Sequence, residues 1–196
     1  MRNKDKTYRS SFNKFWQRIL GCDTEFYDRL DLADFIQLKD ALNDINGIIA
    51  EKSTLAFIDC LERNNIIPAV QADKMRADVE DGNTDGDFDV QYGRESMYFT
   101  PVIAEVKSSI PAKKGKFGAA QEANMFKTID SLLHGKSKST TDVAGFYKFL
   151  VMPDSNGTRK AMESIVRKCD GKCKVQFFKP DTSMEHDTVY IILIEV

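Results

Sequence analysis

Apolar side chains recur at helical spacing through the first third of the chain and alternate with polar ones further on, so the pattern changes period near residue 87. Ser10 or Ser11 can cap a helix whose apolar stripe is Phe12, Phe15, Trp16, Ile19 and Leu20, with Gly21 ending it. A second helix is predicted from about Leu32 to Ile45, with Asn46-Gly47 as a break, and a third from about Ile48 to Arg63. Residues 72–86 are polar and turn-rich, and read as a loop.

Beyond that loop Phe88, Val90 and Tyr92 alternate with Asp87, Asp89 and Gln91, the pattern of a half-buried strand. A turn around Gly93–Ser96 can reverse the chain into MYFTPVIAEVK, where Val102, Ala104 and Val106 alternate with Ile103, Glu105 and Lys107. Pro101 lacks an amide hydrogen and should mark a strand start, an edge or a bulge. A helix is predicted from about Ala119 to His134, with Met125, Phe126, Ile129, Leu132 and Leu133 inward, Gln121 one turn earlier on the same face, and Gly135 as its stop. A strand at about Phe146–Met152, a helix at about Thr158–Cys169 and strands at about Lys174–Phe178 and Val189–Glu195 complete the order. This succession predicts an α/β fold with a mixed central sheet, formed by residues 48–196 behind a helical N-terminal extension of residues 1–47.

Composition narrows the class without naming a function. A chain of 196 residues can bury a sizeable core, and 42% hydrophobic with 30% charged residues excludes disorder and fibrous repeats. The N-terminus lacks the pattern of a secretory signal and no apolar run approaches membrane-spanning length, so a cytoplasmic protein with no membrane association is expected. Cys22, Cys60, Cys169 and Cys173 do not resemble a disulfide framework and are expected as thiols. His134 and His186 have no partners at zinc-ligand spacing.

Charge changes the picture only when divided along the chain. The net of −2 separates into +5 over residues 1–20, −12 over 21–106, +9 over 107–179 and −4 over 180–196. The third block can supply the local positive surface that phosphate binding requires.

Two candidates for chemistry follow. Glu51 lies in register with Ile48, Leu55 and Ile58, and a carboxylate on an apolar stripe is costly unless paired, protonated or bound to a metal. Glu105 and Lys107, two apart on a strand, project from one face, and a paired neighbouring strand can bring Asp89 within reach. Two hard carboxylates suit magnesium, which takes one or two protein carboxylates plus phosphate oxygens. The metal can polarise the phosphoryl oxygen and acidify a water while the lysine positions that water, which is the chemistry of phosphodiester hydrolysis.

The string DGDFDV followed by PVIAEVKSS resembles the signature of the PD-(D/E)xK, restriction-endonuclease-like nuclease superfamily. Asp89 matches its first acid, Glu105 its second and Lys107 its lysine, with Phe88 standing where a proline is often found. The resemblance spans roughly residues 48–178 and implies a restriction-endonuclease-like sheet, the Val106 carbonyl as a further metal ligand, Glu51 as an upstream helical acid and Gln121 as a polar residue of the following helix. It implies a metal-dependent DNA endonuclease, of the type II restriction or phage-defence kind, using Mg2+ with Mn2+ able to substitute. Lys113, Lys114 and Lys116 are then expected to contact backbone phosphates, and a homodimer to cut both strands of a duplex. The alternative is a catalytically inactive DNA-binding or scaffold protein that keeps the nuclease fold. Asp81, Asn83, Asp85 and Gly86 fit the first half of a calcium loop, but Tyr92 stands where its bidentate glutamate belongs.

Overall fold

The computed structural model describes residues 2–83, 86–111, 115–155, 157–181 and 183–195, with the side chains of residues 2–7 and Asn43 excepted. The chain divides into two compact units, Met1–Gly47 and Ile48–Val196.

The first unit holds helix α1 (Arg2–Leu20), a short 3-10 turn at Tyr27–Arg29 and the opening half of α2 (Leu32–Arg63). Phe12 stacks against Tyr27 and Phe35 at centroid distances of 6.0 and 5.6 Å, and Asn13 accepts the Tyr27 amide at 2.8 Å, which ties the turn to α1. Asp31 and Asp34 exchange amide-to-carboxylate hydrogen bonds of 2.9 Å and start α2 where the pattern placed it. Two expectations are corrected. Helix α1 begins at Arg2, so Ser10 and Ser11 lie inside it rather than capping it. Helix α2 runs unbroken through Asn46-Gly47, because an interior glycine costs about 1 kcal/mol against alanine and does not forbid a helix, and Gly47 does not take the positive φ of a helix stop.

The second unit continues with α3 (Ala69–Glu80), β1 (Val90–Tyr92), β2 (Val102–Val106), α4 (Ala119–His134), β3 (Tyr147–Asp154), α5 (Thr158–Cys169), β4 (Lys174–Phe177) and β5 (Thr188–Glu195). Helix α3 replaces much of the expected 72–86 loop. Its inward set is only Gln71, Ala72 and Met75, too short a stripe to show periodicity, and ion pairs from Arg76 to Asp59 and Glu62 fasten it to α2. The buried Gln71 donates to the Thr100 carbonyl at 2.9 Å and accepts the Thr100 amide at 2.8 Å, which anchors the β1–β2 connection.

The five strands form one mixed sheet in the order β1-β2-β3-β5-β4, with β1 antiparallel to β2 and all other pairs parallel. Strands β2 and β3 are buried on both faces, as crossover helices require. Ile103, Leu150 and Ile191 pack against Met125, Ile129 and Leu132 of α4 and Met162 and Ile165 of α5. Val102, Ala104, Val106, Phe149 and Tyr190 pack on the other face against Phe57, Ile58 and Leu61 of α2 and Met75 of α3. The result is a helix–sheet–helix sandwich. Lys148, 2% exposed at the start of β3, donates to the carbonyls of Val143, Phe146 and His186, and burial lowers its pKa despite the charges of Asp187 and Asp142.

Gly93 closes the β1–β2 connection at φ +108, where an added Cβ would lie 2.4 Å from the Thr100 carbonyl oxygen. Gly93→Ala is expected to lower the urea-unfolding free energy by about 3 kcal/mol, from strain and overpacking together. Gly47→Ala should raise it by about 1 kcal/mol, since an added Cβ there meets nothing within 4 Å. A loss at Gly47 would contradict the continuous helix.

Candidate functional site

The β1–β2 ladder pairs Val90 with Ala104 and Tyr92 with Val102. Continued one residue past the start of β1, that register sets Asp89 opposite Glu105. Here the ladder has stopped, and the Val106 amide would face no strand partner. Asp89 supplies one, because its Oδ2 accepts the Val106 N–H at 2.7 Å.

Glu105 is the one charged residue of β2 and is 5% exposed. Alternation along β2 puts it on the side of Ile103, facing the α4–α5 layer. Lys107, immediately past the strand, donates its own amide to Val151 at 2.9 Å and its ammonium to Glu105 Oε2 at 2.5 Å. Lys136 approaches the other oxygen, Oε1, at 2.5 Å. The two lysines therefore meet both oxygens of the buried carboxylate. Burial pushes the Glu105 carboxyl upward, and the Lys107 and Lys136 ammoniums outweigh it, so its pKa falls below the usual glutamate value.

Asp89 behaves in the opposite way. The residue is exposed overall, yet its carboxyl is crowded by packed atoms, and that desolvation, with the neighbouring Glu105 charge, raises its pKa above the usual aspartate value despite the Val106 hydrogen bond. The two neighbouring carboxyls are thus shifted in opposite directions beside two ammoniums.

Lys136 was not singled out by the sequence, and it ties the group together. Its ammonium also donates to the Asp87 carbonyl and lies 4.7 Å over the Phe88 ring. Asp87 in turn accepts from the hydroxyls of Ser139 and Thr141, so residues 136–141 pin the approach to β1. Its only local signal is a lysine just past a helix-stop glycine, which reads as solvated loop.

The structure brings together Asp89, Glu105, Lys107 and the Val106 amide, and leaves the other expected members outside. Glu51 is exposed on α2, with no ion pair or side-chain hydrogen bond among the described residues. The buried stripe of α2 is Ser53, Thr54, Phe57, Ile58 and Leu61, and it packs on the sheet face opposite to Glu105. The expected stripe through Ile48 fails because Ile48 is 49% exposed. Gln121 spends both ends of its amide locally, accepting the Gly118 N–H at 3.1 Å and donating to the Ile110 carbonyl at 3.3 Å, which caps α4. Lys116 is exposed, whereas Lys113 and Lys114 lie outside the described residues, as does Asp85 of the calcium-loop pattern. Asp81 caps α3, and Tyr92 sits in β1.

A cleft of about 690 Å³ borders Asp89, Gln91, Tyr92, Asp78 and Lys74. A second of about 780 Å³, lined by Arg167, Lys172, Glu185 and Thr188, lies beside β4 and includes none of the candidate residues. Among the described residues no three His, Cys, Asp or Glu side chains converge as a metal cluster. Magnesium does not require three, and the Asp89–Glu105 pair supplies the one or two carboxylates that a hard cation keeping most of its waters takes, although such a cation would displace an ammonium from Glu105.

No protein-family model, curated protein or solved structure matches this chain.

The raised pKa of Asp89 carries a stability consequence. The folded state holds its proton more tightly than the unfolded chain, so this contribution is fully present below the unfolded pKa and is lost as pH rises through the folded one. An asparagine in its place would keep an oxygen for the Val106 amide without the charge. Asp89→Asn is therefore expected to melt at a higher temperature than the parent at about pH 7, with the gap closing toward about pH 3. Thermal unfolding followed across that range would count against the assignment if the variant were less stable at neutral pH.

Proposed function

We propose that this chain is a magnesium-dependent endonuclease that hydrolyses DNA phosphodiester bonds on a restriction-endonuclease-like core. The observation that carries the proposal is the meeting of Asp89, Glu105 and Lys107 where β2 ends. Strands β2, β3, β5 and β4 run parallel, and open sheets of this kind hold their ligands beyond the strand C-termini, where Lys107 lies.

Asp89 and Glu105 would hold Mg2+, or Mn2+ in its place, which supplies Lewis acidity toward a phosphoryl oxygen and makes a water easier to deprotonate. Lys107 then orients that water toward phosphorus and offers positive charge to the phosphorane-like transition state. The new P–O bond forms as the bond to the leaving sugar oxygen breaks, the attacking water giving a proton to solvent and the leaving oxygen taking one from it. The Val106 amide fixes one Asp89 oxygen and leaves the other free to point outward. Lys136 holds Glu105 in place and offsets its charge. Exposed Lys116, with Lys113 and Lys114, would meet backbone phosphates, and a cytoplasmic restriction or phage-defence role suits such an activity.

One observation also favours a protein that keeps this fold and binds DNA without cutting. Both Glu105 oxygens already lie against ammoniums, which satisfies the carboxylate electrostatically with no metal at all. Incubation of supercoiled plasmid and of single-stranded DNA separates the two readings. The nuclease reading expects nicked or linear product with Mg2+, none with EDTA, and a loss of about 100-fold or more in Lys107→Ala and Asp89→Asn. DNA binding with no cleavage under Mg2+ or Mn2+ would overturn it, as would full activity in either variant.

A further inference from the structure

The first 47 residues bury little apolar surface. Among their described residues only Asn13 is buried, and no apolar side chain is. Of the thirteen exposed large hydrophobic residues among those described, eight fall in this unit, a density that marks a surface meant to be covered. Its aromatic contacts join Phe12, Phe15, Trp16, Phe26, Tyr27 and Phe35 in a partly exposed group.

The pattern of what is left open identifies the kind of cover. Phe35, Leu38, Leu42 and Ile45 follow one another on α2 at intervals of three, four and three residues, the spacing of a seam that receives another helix. Phe12 of α1 covers the beginning of that seam at Phe35. Leu42 and Ile45, 51% and 41% exposed, form its open end, and Phe15 and Ile19 remain open on α1 at 48% and 55%.

Charge identifies the occupant. Residues 1–20 carry a net +5 and residues 21–47 a net −5, so the unit is complementary to itself. Among the described side chains of this unit Arg9–Asp28 is the ion pair formed, and Lys14, Arg18, Asp40 and Asp44 make none with one another. A surface apolar at its centre and of opposite sign on its two helices suits a two-fold contact, in which each basic helix meets the other chain's acidic one.

We propose that a second copy of this chain covers the open end of the α2 seam, so that α1 and α2 of two chains pack as a four-helix bundle. The proposal stands on the apolar and charge pattern of residues 1–47 and does not rest on the nuclease reading, although a dimer would give that reading two cutting centres for two strands.

The test is the mass of the full chain by light scattering after size exclusion, at micromolar concentration and low salt. The parent should run at twice the 22.2 kDa chain mass. Leu42→Glu/Ile45→Glu should weaken association by about 100-fold or more and run as a monomer, with unchanged far-UV circular dichroism. Leu42→Met/Ile45→Val should remain dimeric, and so should Val70→Glu, which alters an equally exposed residue of the second unit. Hydrogen exchange completes the measurement, with amides of residues 35–47 slowed in the parent and fast in the double-glutamate variant. A monomeric parent overturns the proposal, whether those amides are slow, meaning that the chain covers its own seam, or fast, meaning that a different partner does. A double-glutamate variant that remains dimeric overturns it too. None of these readouts involves DNA or metal, so the failure of either reading leaves the other standing.

Discussion

A carboxylate held almost out of water near the end of a buried strand is the constraint from which the rest of the candidate site follows. Isolated, Glu105 would be too costly to keep ionised. It stays ionised because two ammoniums reach it from different parts of the chain, Lys107 from its own strand and Lys136 from beyond α4. The second of these fixes more than charge. In meeting Glu105, Lys136 also engages the Asp87 carbonyl and the Phe88 ring, so the segment that delivers Asp89 is held by the ion that neutralises Glu105.

The sheet contributes by ending early. Strand β1 has three residues against the five of β2, and the amide left facing outward beyond its start is Val106. An aspartate side chain takes the place that a longer strand would have filled. A strand extended at this edge would satisfy the amide through backbone and remove the reason for the carboxylate to sit there. The place of Asp89 is therefore set by one hydrogen bond, and the cost of its crowding shows in an unfavourable ionisation.

How much of this was legible in the sequence depended on the range of the interaction concerned. Helices α4 and α5 and strand β2 were readable because their burial follows a single local period, as with Met125, Ile129 and Leu132. Asp89, Glu105 and Lys107 were readable as a group because a period of two and one antiparallel pairing suffice to bring them together. Helix α3 was hidden by its polarity, since it is held by Arg76 ion pairs and a buried glutamine instead of an apolar face. Glu51 was misplaced for a related reason: its apparent stripe drifts off the buried face before the helix reaches the sheet. Lys136 could not be found at all, because what distinguishes it from its neighbour Lys138 is the fold that carries it across to Glu105.

Lys148 shows the other way in which this fold accommodates a buried cation. Three backbone carbonyls surround its ammonium, much as carbonyl oxygens cradle a potassium ion, and no carboxylate makes an ion pair with it among the described residues. Dipoles built into the main chain are not stripped away by added electrolyte as a surface ion pair is. Amine-directed acylating reagents would find this nitrogen only after the start of β3 comes apart, which makes it a natural chemical reporter of opening at the centre of the sheet.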